Sequence, residues 1–437
     1  MFYSPFICKR SIITLSEILV IEGDYTMTDF QTNLKKYAEL VVAVGIDTKK
    51  DDIVVIKIAA DQYLFARELT KAAYAYGAKN VIIQWQDDII KKEMITHADM
   101  DVISKQNPFD REIDDQLIAD NAKRITVVSS APNALEGVPS DRLQAFQKMY
   151  DEYMAPVRKY NASNRRSWNI VAAASAEWAA IVFPELESQE KQIEALWNAI
   201  FNACRVDTED PIAEWEKHDA LLHEKANMLN EIQYDALHYK APGTDLVVGL
   251  PKNHIWAGGS SKNIESGEIF MANIPTEEVF TAPDYRRIDG YVSSTKPLSY
   301  AGNLINNFKL TFKDGQIIEA TAEEGEDVLK ELIATDKGSK SLGEVALVPD
   351  PSPISQSGII FYNTLFDENA SDHLAIGNSY AFTIENGTEL SNEELLERGM
   401  NRSSTHVDFM IGSSEMDIDG IRQDGTVDAV FRNGDWA

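Results

Sequence analysis

The residues best suited to chemistry lie in the second half of the chain. His406 and Asp408 sit in THVDFMIGS, which reads as a strand. Residues two apart on a strand share a face, so imidazole and carboxylate project together while Val407 and Phe409 face the other way. His373 closes LFDENASDH, a stretch that also holds Asp367, Glu368 and Asp372 and follows the apolar run GIIFYNTLF. A polar cluster at a strand end is a common place for a site. Glu344 in LGEVALVP and Glu278 in TEEVFTAP lie inside apolar, strand-like runs. A carboxylate there is expensive unless it is paired or bound to a metal. In Glu277-Glu278 the neighbours point to opposite faces, so only one can enter a site. Each residue alone has a plainer explanation: an H-x-D pair arises by chance, an acidic loop can serve solvation, and a strand Glu can sit on an exposed edge. Together, Glu278, Glu344, His373, His406 and Asp408 form a set suited to two divalent ions such as zinc, cobalt or manganese.

Other signatures are missing. No G-x-G-x-x-G follows a strand, and there is no G-x-x-x-x-G-K-[ST] or G-x-S-x-G. His223-Glu224 opens an H-E-x-x pattern, but Asn227 stands where a second imidazole is needed, so this segment reads as a solvated helix face. The histidines at 97, 218, 223, 238 and 254 lack ligand-like company and read as surface or satisfied residues.

The elements that must position these residues change character along the chain. The first half alternates helix and strand patterns. Thr28 or Asp29 caps a helix to about Val44, and further helices are expected at 62–76, 142–154 and 191–204. Buried strands are expected at 52–59, 80–86, 124–129 and 168–174. Apolar strands alternating with helices indicate an open, mainly parallel α/β sheet. Residues 206–240 read as a polar helical bridge. Beyond Tyr239 the strands alternate and turns become denser, with Asp314-Gly315 as a hairpin signal and helices near 323–334 and 392–398. The expected organisation is an α/β domain with its bridge at 27–238, then a β-rich α+β domain at 239–437 that carries the site.

Composition narrows the function. Lys and Arg number 41 against 70 Asp and Glu, a formal net charge of −29. Such a chain repels phosphate backbones and anionic membrane surfaces, so neither a nucleic-acid nor a membrane partner is expected. Two cysteines, Cys8 and Cys204, exclude a disulfide framework or a Cys-rich metal site and fit a reducing cytoplasm. No apolar run is long enough to span a bilayer. Residues 1–26 hold a signal-like stretch that Lys9, Arg10 and Glu17 interrupt, with no small-residue cleavage site after it. They are expected to be an N-terminal extension outside the fold, which opens at Met27.

Three long segments carry a resemblance: PTEEVFTAPDYRRIDGYVSSTKPLSY, GEVALVPDPSPISQSGIIFYNTLFDENASDHLAIGNSY and NRSSTHVDFMIGSSEMDIDGI. With GAKNVIIQW, APGTDLVVGLPKNHIW and the ending FRNGDWA, they closely resemble the thermophilic-type metallo-aminopeptidase family from about Met27 to Ala437. The resemblance implies an exopeptidase that hydrolyses the N-terminal residue from peptides through a dinuclear metal-activated water. It implies two divalent ions (zinc, cobalt, manganese or magnesium) held by Glu278, Glu344, His373, His406 and Asp408. Glu344 bridges, and Glu368 is a further ligand or a partner of the ligands. Tyr380 matches the active-site tyrosine and hydrogen-bonds the oxyanion. Glu277 or Glu344 shuttles the proton to the leaving amine. The choice of Glu278 over Glu277 as ligand rests on motif spacing. A cytoplasmic homodimer acting on peptides with a free N-terminus follows from the same likeness. A dinuclear amidase or phosphoesterase, and a binding protein with a structural metal, are the competing readings. The last fits poorly, because structural zinc sites are usually Cys-rich.

Overall fold

Four short apolar runs, β1 (Ile53–Ala59), β2 (Asn80–Gln86), β3 (Lys123–Val128) and β4 (Trp168–Ala172), pair in parallel in the order β2-β1-β3-β4. The computed structural model describes residues 29–300 and 303–437. The expected extension at 1–26, the opening Met27, the cap Thr28 and Cys8 lie outside the described residues. β1 is buried because IVVIKIA puts Val54, Ile56 and Ile58 against covering helices and Val55 against the opposite side. Parallel strands need crossovers, and helices supply them.

The helices expected from periodicity are present with shifted ends. Asp29–Leu40 continues as one π-turn to Gly45, and Tyr63–Ala75 and Gln189–Ala203 follow the expected spans closely. Ser140–Ala162 runs longer than expected, through Pro156. Among the helices not anticipated, the longest are Asp88–His97, capped by Asp87, and Pro108–Ala119, capped by Asn107 with proline in its first turn. The Asn107-Pro108 pair is a start signal that the weak apolar periodicity downstream hid.

Residues 206–240 resolve mainly into one helix, Pro211–Ile232, capped by Asp210 and stopped where Gln233 turns left-handed (φ 53°). Its N-terminal Trp215 is buried in the core of the parallel sheet, while Leu222, Ala226 and Leu229 enter a second core. The first core also takes Met271, Ile274, Phe361 and Phe366 from the second half of the chain. The two halves are therefore interlocked rather than beaded.

The second core lies between two antiparallel sheets. One runs in the order 316–321, 309–313, 288–293, 244–249, 236–241, 417–421, 427–432 and 435–436. Asp314 and Gly315, both at positive φ, close its 309–321 hairpin as the sequence suggested. The other sheet has five strands: β5 (Ala257–Gly258), β6 (Val279–Thr281), β7 (Leu342–Leu347), β8 (His373–Gly377) and β9 (His406–Met410), in the order β9-β8-β7-β6-β5. Val279, Val345, Leu347, Leu374, Ile376 and Phe409 point into the core. Alternation sends the residues between them to the opposite face.

Trp215 holds the bridging helix to the first core. We expect Trp215→Ala to lower stability by about 3–5 kcal/mol, the cost of emptying a buried aromatic site. Chemical denaturation monitored by circular dichroism measures it.

Candidate metal centre

The face of the five-stranded sheet turned away from the core carries the chemistry. His373 lies opposite Ala346 across β7 and β8, Asp408 opposite Ala375, and His406 opposite Gly377. Glu344 follows an irregularity in the β7–β8 register, and Glu278 immediately precedes β6. Small residues at Ala346, Ala375 and Gly377 leave room above the sheet for the charged side chains between them.

Those side chains converge. His373 Nε2 is 3.1 Å from Glu278 Oε2 and 3.6 Å from Glu344 Oε1. His406 Nε2 is 3.8 Å from Glu344 Oε2 and 3.3 Å from Asp408 Oδ1. Two ligand groups result, Glu278–Glu344–His373 and Glu344–His406–Asp408, each with its ligand atoms within 4.8 Å of one another. Glu344 belongs to both. The ring nitrogens are sorted by backbone: His373 Nδ1 faces Ser371 O at 3.3 Å and His406 Nδ1 faces Asn378 O at 2.7 Å. Each Nδ1 donates to its carbonyl, which leaves Nε2 with a lone pair for a cation.

The electrostatics show what the cluster lacks. Burial lifts Glu344 to about 7 despite hydrogen bonding to His373. Burial, then Glu278 and Asp408, push Glu368 well above its ordinary value. Burial opposes charge on His406, yet Asp408 and Glu344 overcome it and raise the imidazole to about 10. Too many carboxylates share too little positive charge. Asp408 Oδ1 is buried, and its close polar neighbour is the His406 imidazole at 3.3 Å. A donor set of imidazoles and carboxylates, crowded and buried like this, fits divalent cations.

The cluster opens on a cavity of about 570 Å³ between the two halves of the molecule. Glu368 lines it but belongs to neither group. Tyr380 also lines it, its ring 4.8 Å from the His406 imidazole and stacked on Phe382. Burial and then Glu344 and Asp408 hold the phenol protonated, well above its usual range. Phe280 and Trp256 extend the apolar wall, and Arg158 and Asn161 reach the cavity from the helix Ser140–Ala162.

Glu277 lies apart from the cluster. Its carboxylate, 3% exposed, does not line the cavity. Arg205 grips it with two bonds, Nη1–Oε1 at 2.6 Å and Nη2–Oε2 at 2.9 Å, and His218 Nε2 lies 3.3 Å away. The two neighbours thus face different surroundings, Glu278 the candidate metal cluster and Glu277 this ion pair, and the geometry gives no support to Glu277 as the proton shuttle. Arg205 was not singled out from sequence, and His218 was passed over because its carboxylate partner is remote along the chain. His223 and Asn227 line the far side of the cavity, and His223 Nε2 contacts Ser260 Oγ at 3.0 Å, so this helix face is more than solvation.

An α/β layer joined to a β-rich layer, with paired carboxylate–imidazole ligand groups over a shared cavity, defines a metallohydrolase. The chain belongs to the thermophilic metalloprotease (M29) family, whose model matches residues 30–436, and is a metallo-aminopeptidase. It is 52% identical to Aminopeptidase AmpS of Bacillus subtilis (strain 168), over 94% of this chain and 100% of that protein. It is 50% identical to Aminopeptidase PepS of Streptococcus thermophilus, over 94% and 99%. The solved structure of wild-type AmpT from Thermus thermophilus superposes with a TM-score of 0.88 at 39% identity, covering 93% of this chain and all of that one. No helix among the described residues is long and apolar enough to cross a membrane.

The loop entering β9 is anchored by Asp336. Burial pushes this carboxyl up, but hydrogen bonds from Ser404 N and Oγ, Ser339 N and Ser403 Oγ outweigh it and hold the group at about 2. A folded value below the unfolded one stabilises above pH 4, and this is lost as pH falls toward 2. Asp336→Asn is expected to flatten that part of the stability–pH curve, as read by denaturation at stepped pH.

Proposed function

We propose that this metallo-aminopeptidase removes the N-terminal residue of peptides with a free amino terminus, using a water activated by two divalent cations. One observation carries the reading: Glu344 is common to two ligand groups that are otherwise separate. Glu278 and His373 would hold one cation and His406 and Asp408 the other, with Glu344 shared between the two groups and Glu368 a further carboxylate nearby. Zinc, cobalt, manganese and magnesium all suit this donor set. Bound ions of this kind supply Lewis acidity and lower the pKa of water toward neutrality.

The remaining work falls to the chain. Tyr380, kept protonated by burial and then by the carboxylates around it, donates its hydroxyl to the oxygen on which charge develops. With Glu277 committed to Arg205, Glu344 is the carboxylate left to pass a proton from water to the departing amine. Phe280, Trp256 and Phe382 give the leading side chain an apolar wall. The carboxylate-rich end of the cavity meets the substrate's ammonium, which a net charge of −29 also attracts. An internal peptide bond offers no such cation, and cleavage is confined to the first residue. The reading includes a cytoplasmic homodimer. A buried, unpaired Cys204 fits the compartment, and exposed apolar side chains such as Trp85, Ile89, Ile90 and Phe109 fit a self-association surface.

Aminoacyl-p-nitroanilides test it. Hydrolysis is expected to stop on chelation and return with cobalt or zinc. No hydrolysis with any metal removes the reading, and equal hydrolysis of N-acetylated analogues turns it into an amidase. Glu344→Gln is expected to lower kcat at least about 100-fold with the unfolding midpoint little changed. A normal kcat in that variant means Glu344 plays no such part.

A further inference from the structure

We propose that Arg205, His218 and Glu277 form a clamp through which the α/β layer positions the metal ligand Glu278. The inference rests on the two-cation reading above. Glu278 lies just ahead of β6, where β6 contributes only three residues, so the sheet alone defines its main chain weakly. The preceding residues are instead fixed from outside. Arg205 follows the helix Gln189–Ala203 in the left-handed region (φ 56°), which ends the helix and turns the side chain out of its run. The guanidinium stacks over Trp215 and grips Glu277 with both nitrogens. His218, one turn beyond Trp215 on the bridging helix, places Nε2 2.8 Å from Thr276 O, while Arg205 Nη2 lies 3.4 Å from its Nδ1. A neutral imidazole satisfies both contacts, donating at Nε2 and accepting at Nδ1. Burial lowers the pKa of His218, in keeping with this.

On the other side, Glu277 N donates to Asn369 Oδ1 at 2.7 Å, and Asn369 Nδ2 donates to Leu365 O at 3.0 Å. Asn369 directly follows Glu368. The junction thus ties the backbones of two cavity carboxylates to each other and to the other half of the molecule. A buried ion pair adds little stability that apolar residues could not supply. What apolar residues cannot supply is direction: a planar fork bonded to both oxygens of Glu277 fixes which way the adjacent Glu278 faces.

The test is zinc binding by calorimetry on chelator-treated full-length protein. The variants are Glu277→Gln, Arg205→Met and the double change Arg205→Met with Glu277→Met, which removes both buried charges together. The expected result is about 10–100-fold weaker binding at one zinc site, with the other site retained and activity recovering at high zinc. The unfolding midpoint of the double variant should stay near that of the parent. If affinity at every site is unchanged in the double variant, the clamp positions nothing and the proposal is overturned. Zinc stoichiometry of the unaltered protein judges the two-cation reading separately. A single bound zinc would sink that reading, while the clamp would still stand or fall on whether that zinc is weakened in the double variant.

Discussion

Carboxylates crowded on one face of a sheet and shielded from water govern this molecule. Glu278, Glu344, Glu368 and Asp408 crowd around two imidazoles, His373 and His406. Like charges at such separations repel strongly once water is excluded. Burial, with a smaller push from Asp408 and Glu278, raises Glu344 to about 7. A fold tolerates the arrangement only when something else supplies positive charge, and here the donor set itself selects for a cation. Most of the architecture around the site can be understood as a means of holding those oxygens together against their tendency to separate.

Two features do the holding. Antiparallel pairing of β7, β8 and β9 fixes the relative height of Glu344, His373, His406 and Asp408, with alternate residues locked in the core below. Backbone carbonyls of Ser371 and Asn378 then fix the rotation of each imidazole. Strand pairing sets position and local carbonyls set orientation, so neither ligand group relies on a flexible loop for both.

The residues of the cluster stand out in the sequence because they break a local rule. A glutamate inside LGEVALVP contradicts the burial of its neighbours, and an H-x-D spacing in a strand puts both side chains on one side. The parallel sheet and the hairpin at Asp314-Gly315 were legible for similar reasons, since their periodicity and turn chemistry are local. The identity of Glu277 was not. Its partner Arg205 is 72 residues away, and nothing in either neighbourhood announces the pairing. The completion of the first core by Met271, Ile274, Phe361 and Phe366 was hidden for the same reason. Contacts between distant segments leave no periodic trace in one sequence.

That interlocking bears on how the site holds its ions. β7, β8 and β9 belong to the sandwich, but the segment leading to Glu278 is bound to the α/β layer through Arg205 and His218, and the Phe361–Phe366 stretch just ahead of Glu368 is buried in that layer's core. Glu278 and Glu368 therefore join Glu344 and Asp408 only when both layers are docked. A cation that binds the assembled set and not the separated one stabilises the docked arrangement by the same free energy with which the arrangement binds it. The apolar contacts between the layers and any cation bound in the cavity are thus coupled: what strengthens one strengthens the other.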